Sequence, residues 1–185
     1  GKSPKLVKRV QMSNVPAGIG DFKLSPDESK VMYVSYIHSD VKQPSDTDPK
    51  LDKATAYVAE DLMYRHWDHW VTELPHTPEK SIDILASEDK LYELPTEPFG
   101  GMEQLDWSPD GKYIAYSCKK KAGKEYAFST NTEIYIYNVA DGSCNVIPMG
   151  GGYDTEPTWS PDGQHIAWLS MARDGYEADK TRLMV

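Results

Sequence analysis

Trp107-Ser108-Pro109-Asp110-Gly111 is written a second time as Trp159-Ser160-Pro161-Asp162-Gly163 and echoed as Leu24-Ser25-Pro26-Asp27. A short apolar alternation follows each copy: Val31 and Tyr33, Ile114 and Tyr116, Ile166 and Trp168. Ser108 and Ser160 lie 52 residues apart, and the same offset carries Ile82, Ile84 and Gly100 onto Ile134, Ile136 and Gly152. A fixed period of roughly 40 to 50 residues marks a repeat array.

Inside one unit the period is 2, the signature of strands. The middle unit predicts strands at 104–107, 112–118, 133–139 and 144–148. In the second strand Tyr113, Ala115 and Ser117 share one face; Ile114, Tyr116 and Cys118 share the other. Ser-Pro-Asp-Gly has type I turn chemistry, with proline presetting the second position and glycine suiting the fourth. Asp141-Gly142 is a hairpin signal. Four antiparallel strands in about 50 residues describe a propeller blade, and such sheets need neighbours to bury their faces. A β-sandwich shares the short strands but predicts no repeat of this length.

The expected fold class is therefore all-β: a β-propeller fragment of about three four-stranded antiparallel blades. Residues 1–20 would hold the last strand of an incomplete blade (5–12), 21–102 a blade with an insertion, 103–152 a complete blade, and 153–185 the start of another. Propellers usually have four to eight blades, so the chain reads as an arc of a larger ring. Its uncovered flanking sheets predict self-association of the isolated fragment. Ser25 and Ser108 are 83 residues apart, 31 more than the repeat, which places the insertion at about 38–80. It opens with loop chemistry at 45–49. Residues 51–70 read as helical or partly so, with Ala54, Val58 and Leu62 backed by Tyr64, Trp67 and Trp70. Pro75 and Pro78 close it.

The 185 residues carry a net charge of -9, which disfavours nucleic acid as a partner. The one basic run, Lys119-Lys120-Lys121, reads as a solvated hairpin end. No apolar run approaches the roughly 18 residues of a membrane-spanning helix, and residues 1–10 lack the apolar centre of a secretory signal. Cys118 and Cys144 fall on the second and fourth strands of one blade. An intervening strand separates them by about 9–10 Å, too far for a disulfide, so two free thiols are expected.

Chemistry-bearing motifs are few. No G-x-S-x-G elbow or supported Ser/His/Asp order occurs, so no catalytic residue is assigned. His66-Trp67-Asp68-His69 lacks the i, i+4 spacing and glutamate of zinc helices, and Asp46, Asp48 and Asp52 lack the glycine of a calcium loop; no metal or cofactor is expected. The recurring Trp107, Tyr116, Trp159 and Trp168 read as packing between blades rather than as a carbohydrate platform. The segment from Arg173 to Lys180 interrupts a blade where a short hairpin would suffice.

Three features resemble the β-propeller of the prolyl oligopeptidase family of serine peptidases, in its dipeptidyl-peptidase and acylaminoacyl-peptidase branch. They are the Trp-Ser-Pro-Asp-Gly repeats (shared with TolB-like propellers), the stretch Asp61-Leu62-Met63-Tyr64-Arg65-His66-Trp67-Asp68-His69-Trp70, and the stretch from Trp168 to Lys180. The resemblance implies a C-terminal α/β-hydrolase domain bearing the triad, outside this chain. It also implies a propeller that gates entry of short peptides with a free amino terminus and helps to hold that terminus. A carboxylate suits an ammonium group, and Glu177, with Tyr176 beside it, is the candidate. The same resemblance implies periplasmic or other export, with a cytoplasmic location as the alternative; no membrane partner is expected, because no long apolar run occurs. Two other functions fit the repeats: a TolB-like propeller that binds protein partners without an enzyme, and a propeller lyase or glycan-binding protein.

Overall fold

The computed structural model describes residues 8–11, 13–76, 83–148 and 150–185. Its strands and helices are β1 (Asp21–Leu24), β2 (Val31–His38), α1 (Pro44–Thr47), β3 (Arg65–His66), β4 (His69–Trp70), β5 (Glu73–His76), β6 (Leu105–Trp107), β7 (Tyr113–Cys118), α2 (Gly123–Phe128), β8 (Glu133–Asn138), β9 (Cys144–Val146), β10 (Asp154–Trp159), β11 (Ile166–Ser170) and β12 (Arg182–Met184). They form antiparallel sheets in the orders β1-β2-β5, β6-β7-β8-β9 and β10-β11-β12, plus the small hairpin β3-β4. The expected all-β class is what the chain adopts. Among the described residues the outer two sheets have three strands each, and the middle one has four.

The repeated motif builds the same turn three times. Ser108 donates its hydroxyl to Asp110 at 2.7 Å and accepts the Tyr113 amide at 2.9 Å, while Asp110 accepts the Lys112 amide at 3.1 Å. Ser25 and Ser160 repeat the pattern with Asp27 and Asp162. These bonds hold all three carboxylates in their ionised form: Asp110 falls to about 2, chiefly through Ser108, while Asp162 is lowered chiefly through Ser160 and Asp27 chiefly through Ser25. The fourth turn residue has positive φ in each copy: 68° at Gly111 and Gly163, and 57° at Glu28. Successive turns also touch. A β-carbon on Gly111 would meet the Pro26 ring at 3.8 Å, and one on Gly163 would meet the Pro109 ring at 3.6 Å.

The core lies between the first and middle sheets, where Met32, Val34, Leu94, Leu105, Trp107, Ile114 and Tyr116 form one buried cluster. Burying such side chains is the main stabilising term in folding. The joint between the middle and third sheets is instead polar and small: Ser117 and Thr132 both donate to the Asp154 carbonyl at 2.6 Å. β10 packs directly on β7 and β6. Both faces of β7 are thus covered, and Ala115, Tyr116 and Ser117 are fully buried.

Several expectations need correction. The insertion is partly helical, but not where the spacing put it: among the described residues within 38–80 helical geometry is confined to α1 and one 3-10 turn at Pro49–Leu51, and residues 52–70 form no helix and end in the β3-β4 hairpin. Thr55, Tyr57, Val58, Tyr64, Trp67 and Trp70 are β-branched or aromatic, residues that lose side-chain freedom in a helix. Trp67, at φ 51°, turns the chain over. The third strand of the first sheet is β5, which begins at 73 inside the stretch read as insertion and pairs with Ser35–His38 of β2. The strand expected at 144–148 ends at Val146. Of the strand expected at 5–12, positions 5–7 and 12 lie outside the described residues, and 8–11 are not strand. Ile82 also lies outside them. Cys118 and Cys144 are free thiols, with the Cys144 sulfur 3.2 Å from the Tyr116 hydroxyl.

Candidate functional site

Each sheet's second strand runs into its third through a connection larger than a hairpin: 39–72, 119–132 and 171–181. Because the three second strands end at equivalent positions, the three connections meet. Gly123, at φ 56°, lies so close to the Asp61 carboxylate that a β-carbon there would overlap it. The His66 ring meets Tyr126 edge-on, with centroids 6.5 Å apart. Gly175 sits under the Phe128 carbonyl. Trp67 and the exposed Phe99 make a T-shaped pair at 4.9 Å.

The third connection is braced from both sides. Asp174 accepts the Ser129 hydroxyl at 2.7 and 2.8 Å, the Thr130 amide at 2.7 Å and the Asn131 amide at 3.1 Å. The Gly175 amide donates to the Thr130 hydroxyl at 2.9 Å. Partial burial pushes the Asp174 carboxyl up, but the bonds from Ser129, Thr130 and Asn131 outweigh it and hold the group below the usual carboxylate range. Within the loop Arg173 pairs with Asp179 at 3.2 Å and lies over the Tyr176 ring at 3.9 Å. Glu177 follows and is exposed. So Tyr176 and Glu177 share one fixed loop, with Tyr176 stacked beneath a guanidinium.

Near this loop, through Lys119, lies a polar cluster that the sequence alone did not single out. Glu93 is only 6% exposed. Its Oε2 accepts the Tyr126 hydroxyl and, at 3.2 Å, the Glu97 amide. Burial pushes its carboxyl up, against the pull of those two donors. Lys119 sits over the Tyr126 ring at 3.9 Å. Burial lowers the Lys119 ammonium, while Glu93, Asp174 and Glu177 pull it back up. The basic run is therefore not a solvated hairpin end: Lys119 is half-buried, and Lys120 pairs with Glu88 and lies 3.9 Å from the Tyr135 ring centre. The only sequence signal for Glu93 was a lone carboxylate in the apolar run Leu91-Tyr92-Glu93-Leu94.

Other candidates stay apart. His66 and His69 face each other across the β3-β4 hairpin, with ring centroids 6.2 Å apart. Among the described residues no group of three or more His, Cys, Asp or Glu side chains could hold a metal ion. Trp107 and Tyr116 are buried packing residues, and Trp159 and Trp168 are partly buried.

The chain is thus built of antiparallel sheets whose connections interlock, and sequence comparison shows what it is similar to. It is 47% identical over 180 residues to dipeptidyl-peptidase 5 of Porphyromonas gingivalis, covering 91% of this chain and 26% of that protein. It is 40% identical over 188 residues to dipeptidyl-peptidase 5 of Porphyromonas endodontalis, covering 95% and 26%. A dipeptidyl-peptidase 5 from Aspergillus oryzae is 28% identical over 206 residues, covering 94% and 28%. The chain thus spans about a quarter of the length of the curated relatives it matches. No family model matches it.

Proposed function

We propose that this chain is the substrate-gating β-propeller portion of a serine exopeptidase that releases dipeptides from short peptides, with hydrolysis carried out by a C-terminal α/β-hydrolase domain. The 47% identity to a dipeptidyl-peptidase over nearly the whole chain carries this reading. The three sheets would be successive blades, stacked through their repeated turns and flanked by further blades. The exposed Phe22, Leu24 and Val31 on the first sheet and Leu183 and Met184 on the last would be covered by those blades, and would make the isolated fragment self-associate. Export to the periplasm belongs to the same reading and rests on the resemblance alone.

The interlocked connections would face the substrate, with Glu177 receiving its free ammonium group and Tyr176 beside it. An exposed carboxylate 4 Å from an ammonium gains about 1 kcal/mol in bulk water and about 4 kcal/mol at a partly enclosed protein surface. Enclosure by the catalytic domain would supply the second condition. In the full-length enzyme, Glu177→Gln is expected to raise KM for free-amino dipeptidyl substrates by tenfold or more, about 1.4 kcal/mol. A KM equal to the parent's would rule out Glu177 as the anchor.

A further inference from the structure

The loop that carries Tyr176 and Glu177 is closed on itself by one side chain. The Asp179 carboxylate, only 9% exposed, accepts the Ala172 amide at 3.1 Å from the start of the loop and the Lys180 amide at 3.0 Å from its end. Arg173 grips both oxygens, Nε on Oδ2 at 3.4 Å and Nη2 on Oδ1 at 3.2 Å. Two parallel bonds of this kind fix a guanidinium in direction as well as in distance. The same guanidinium lies over the Tyr176 ring. The Asp179 amide donates to the Tyr176 carbonyl at 3.1 Å, so 176–179 is a β-turn with Glu177 at its second position. Arg173 is largely exposed, and such a pair adds little to the stability of a fold. Nor does Asp179 tie the loop to residues 129–131, which is the work of Asp174. What its bonds restrict is the loop's internal shape. They also keep Arg173 engaged: a guanidinium released four positions before Glu177 would be drawn to that carboxylate.

We propose that Asp179 is a positioning residue: it fixes the turn that presents Glu177 and holds Arg173 away from it, so that the Glu177 carboxylate stands open to the ammonium group of a substrate. This inference rests on Glu177 being the amino-terminal anchor. Asp179 touches no substrate and acts through Glu177 alone. Arg173 is the strut between Asp179 and the Tyr176 ring.

The test is steady-state kinetics of the full-length enzyme on a free-amino dipeptidyl substrate, with kcat and KM read separately. Asp179→Asn keeps the size of the side chain but loses the charge that holds Arg173. It is expected to raise KM about fivefold or more with kcat within about twofold of the parent, because a small displacement of a binding group is enough to lose its contact. The double variant Glu177→Gln/Asp179→Asn is expected to show the KM of Glu177→Gln alone, since a residue that acts only through Glu177 then has nothing left to act on. Arg173→Gln leaves Asp179 and both of its backbone donors in place. It should raise KM about twofold or more, again only while Glu177 is present. A parental KM in both Asp179→Asn and Arg173→Gln, beside a raised KM in Glu177→Gln, would overturn the positioning role and leave the anchor standing. Additive losses in the double variant, or a fall in kcat as large as the rise in KM, would overturn it as well. A parental KM in Glu177→Gln would remove the anchor, and the positioning role with it.

Discussion

Replacing Asp174 by alanine removes every bond that holds the 171–181 connection to residues 129–131 through that carboxylate. Four contacts of 2.7 to 3.1 Å are lost. Hydrogen bonds to an ionised group contribute about 1.5–3 kcal/mol each when dry, but Asp174 is largely exposed, and solvent reduces such interactions severalfold. A total of about 1–2 kcal/mol follows, confined to this joint. Local opening of that size speeds amide hydrogen exchange by about 5- to 30-fold. The amides of Thr130, Asn131 and Gly175 should show it, whereas Ile136 in the middle of β8 should exchange as before. The pH dependence has a definite sign. The folded carboxyl is lowered from its ordinary value of 3.8, so its contribution is complete above that value and is lost as pH falls through the lower folded one. Unchanged protection at Thr130 and Asn131 would refute the clip. Equal loss of protection at Ile136 would refute its local character.

Three further outcomes can be checked directly. Glu28 holds a left-handed turn position that is glycine in the other two copies, and such a conformation costs a side-chain-bearing residue about 1–2 kcal/mol, partly offset by glycine's greater freedom when unfolded; Glu28→Gly should therefore raise Tm by about 1–3 °C and Gly111→Ala should lower it, as read by thermal circular dichroism. Gly123→Ala should force the insertion away from α2 through overlap with Asp61, and tryptic cleavage at Lys50 and Lys53 should accelerate; an unaltered rate would mean that the contact does not anchor the insertion. Burial pushes the Cys118 thiol up to about 12, so an alkylating reagent at neutral pH should label the partly exposed Cys144 and reach Cys118 only on unfolding, as peptide mapping would show.

The repeats were legible because turn chemistry is local: Ser, Pro, Asp and Gly at fixed offsets leave little choice of backbone, and the bonds from Ser108 and Ser160 follow from the residue types. The middle sheet's strands follow from alternation alone. The insertion was not legible in the same way. Ala54, Val58 and Leu62 have helical spacing, yet an isolated amphipathic segment forms a helix only when tertiary packing rewards it, and here Tyr57 and Tyr64 both stack on Trp70 instead, with ring centroids 4.8 and 6.1 Å from it. The loop carrying Tyr176 and Glu177 stood out as an oversized connection, but its clip joins residues about 45 positions apart and leaves no local trace. Glu93 illustrates the limit most clearly. Its partner Tyr126 is 33 residues away on another element, and the apolar run around it hints at burial without naming the partner.

Each proline ring leaning on the glycine of the following turn indexes the sheets to one another like teeth on a rack. A residue added at that margin would displace every later tooth. Residues added at the opposite margin, as the long 39–72 excursion demonstrates, alter only what hangs from a strand that is already seated. The two margins can therefore diverge at different speeds, and recognition properties can be rewritten on one without retuning the spacing set by the other.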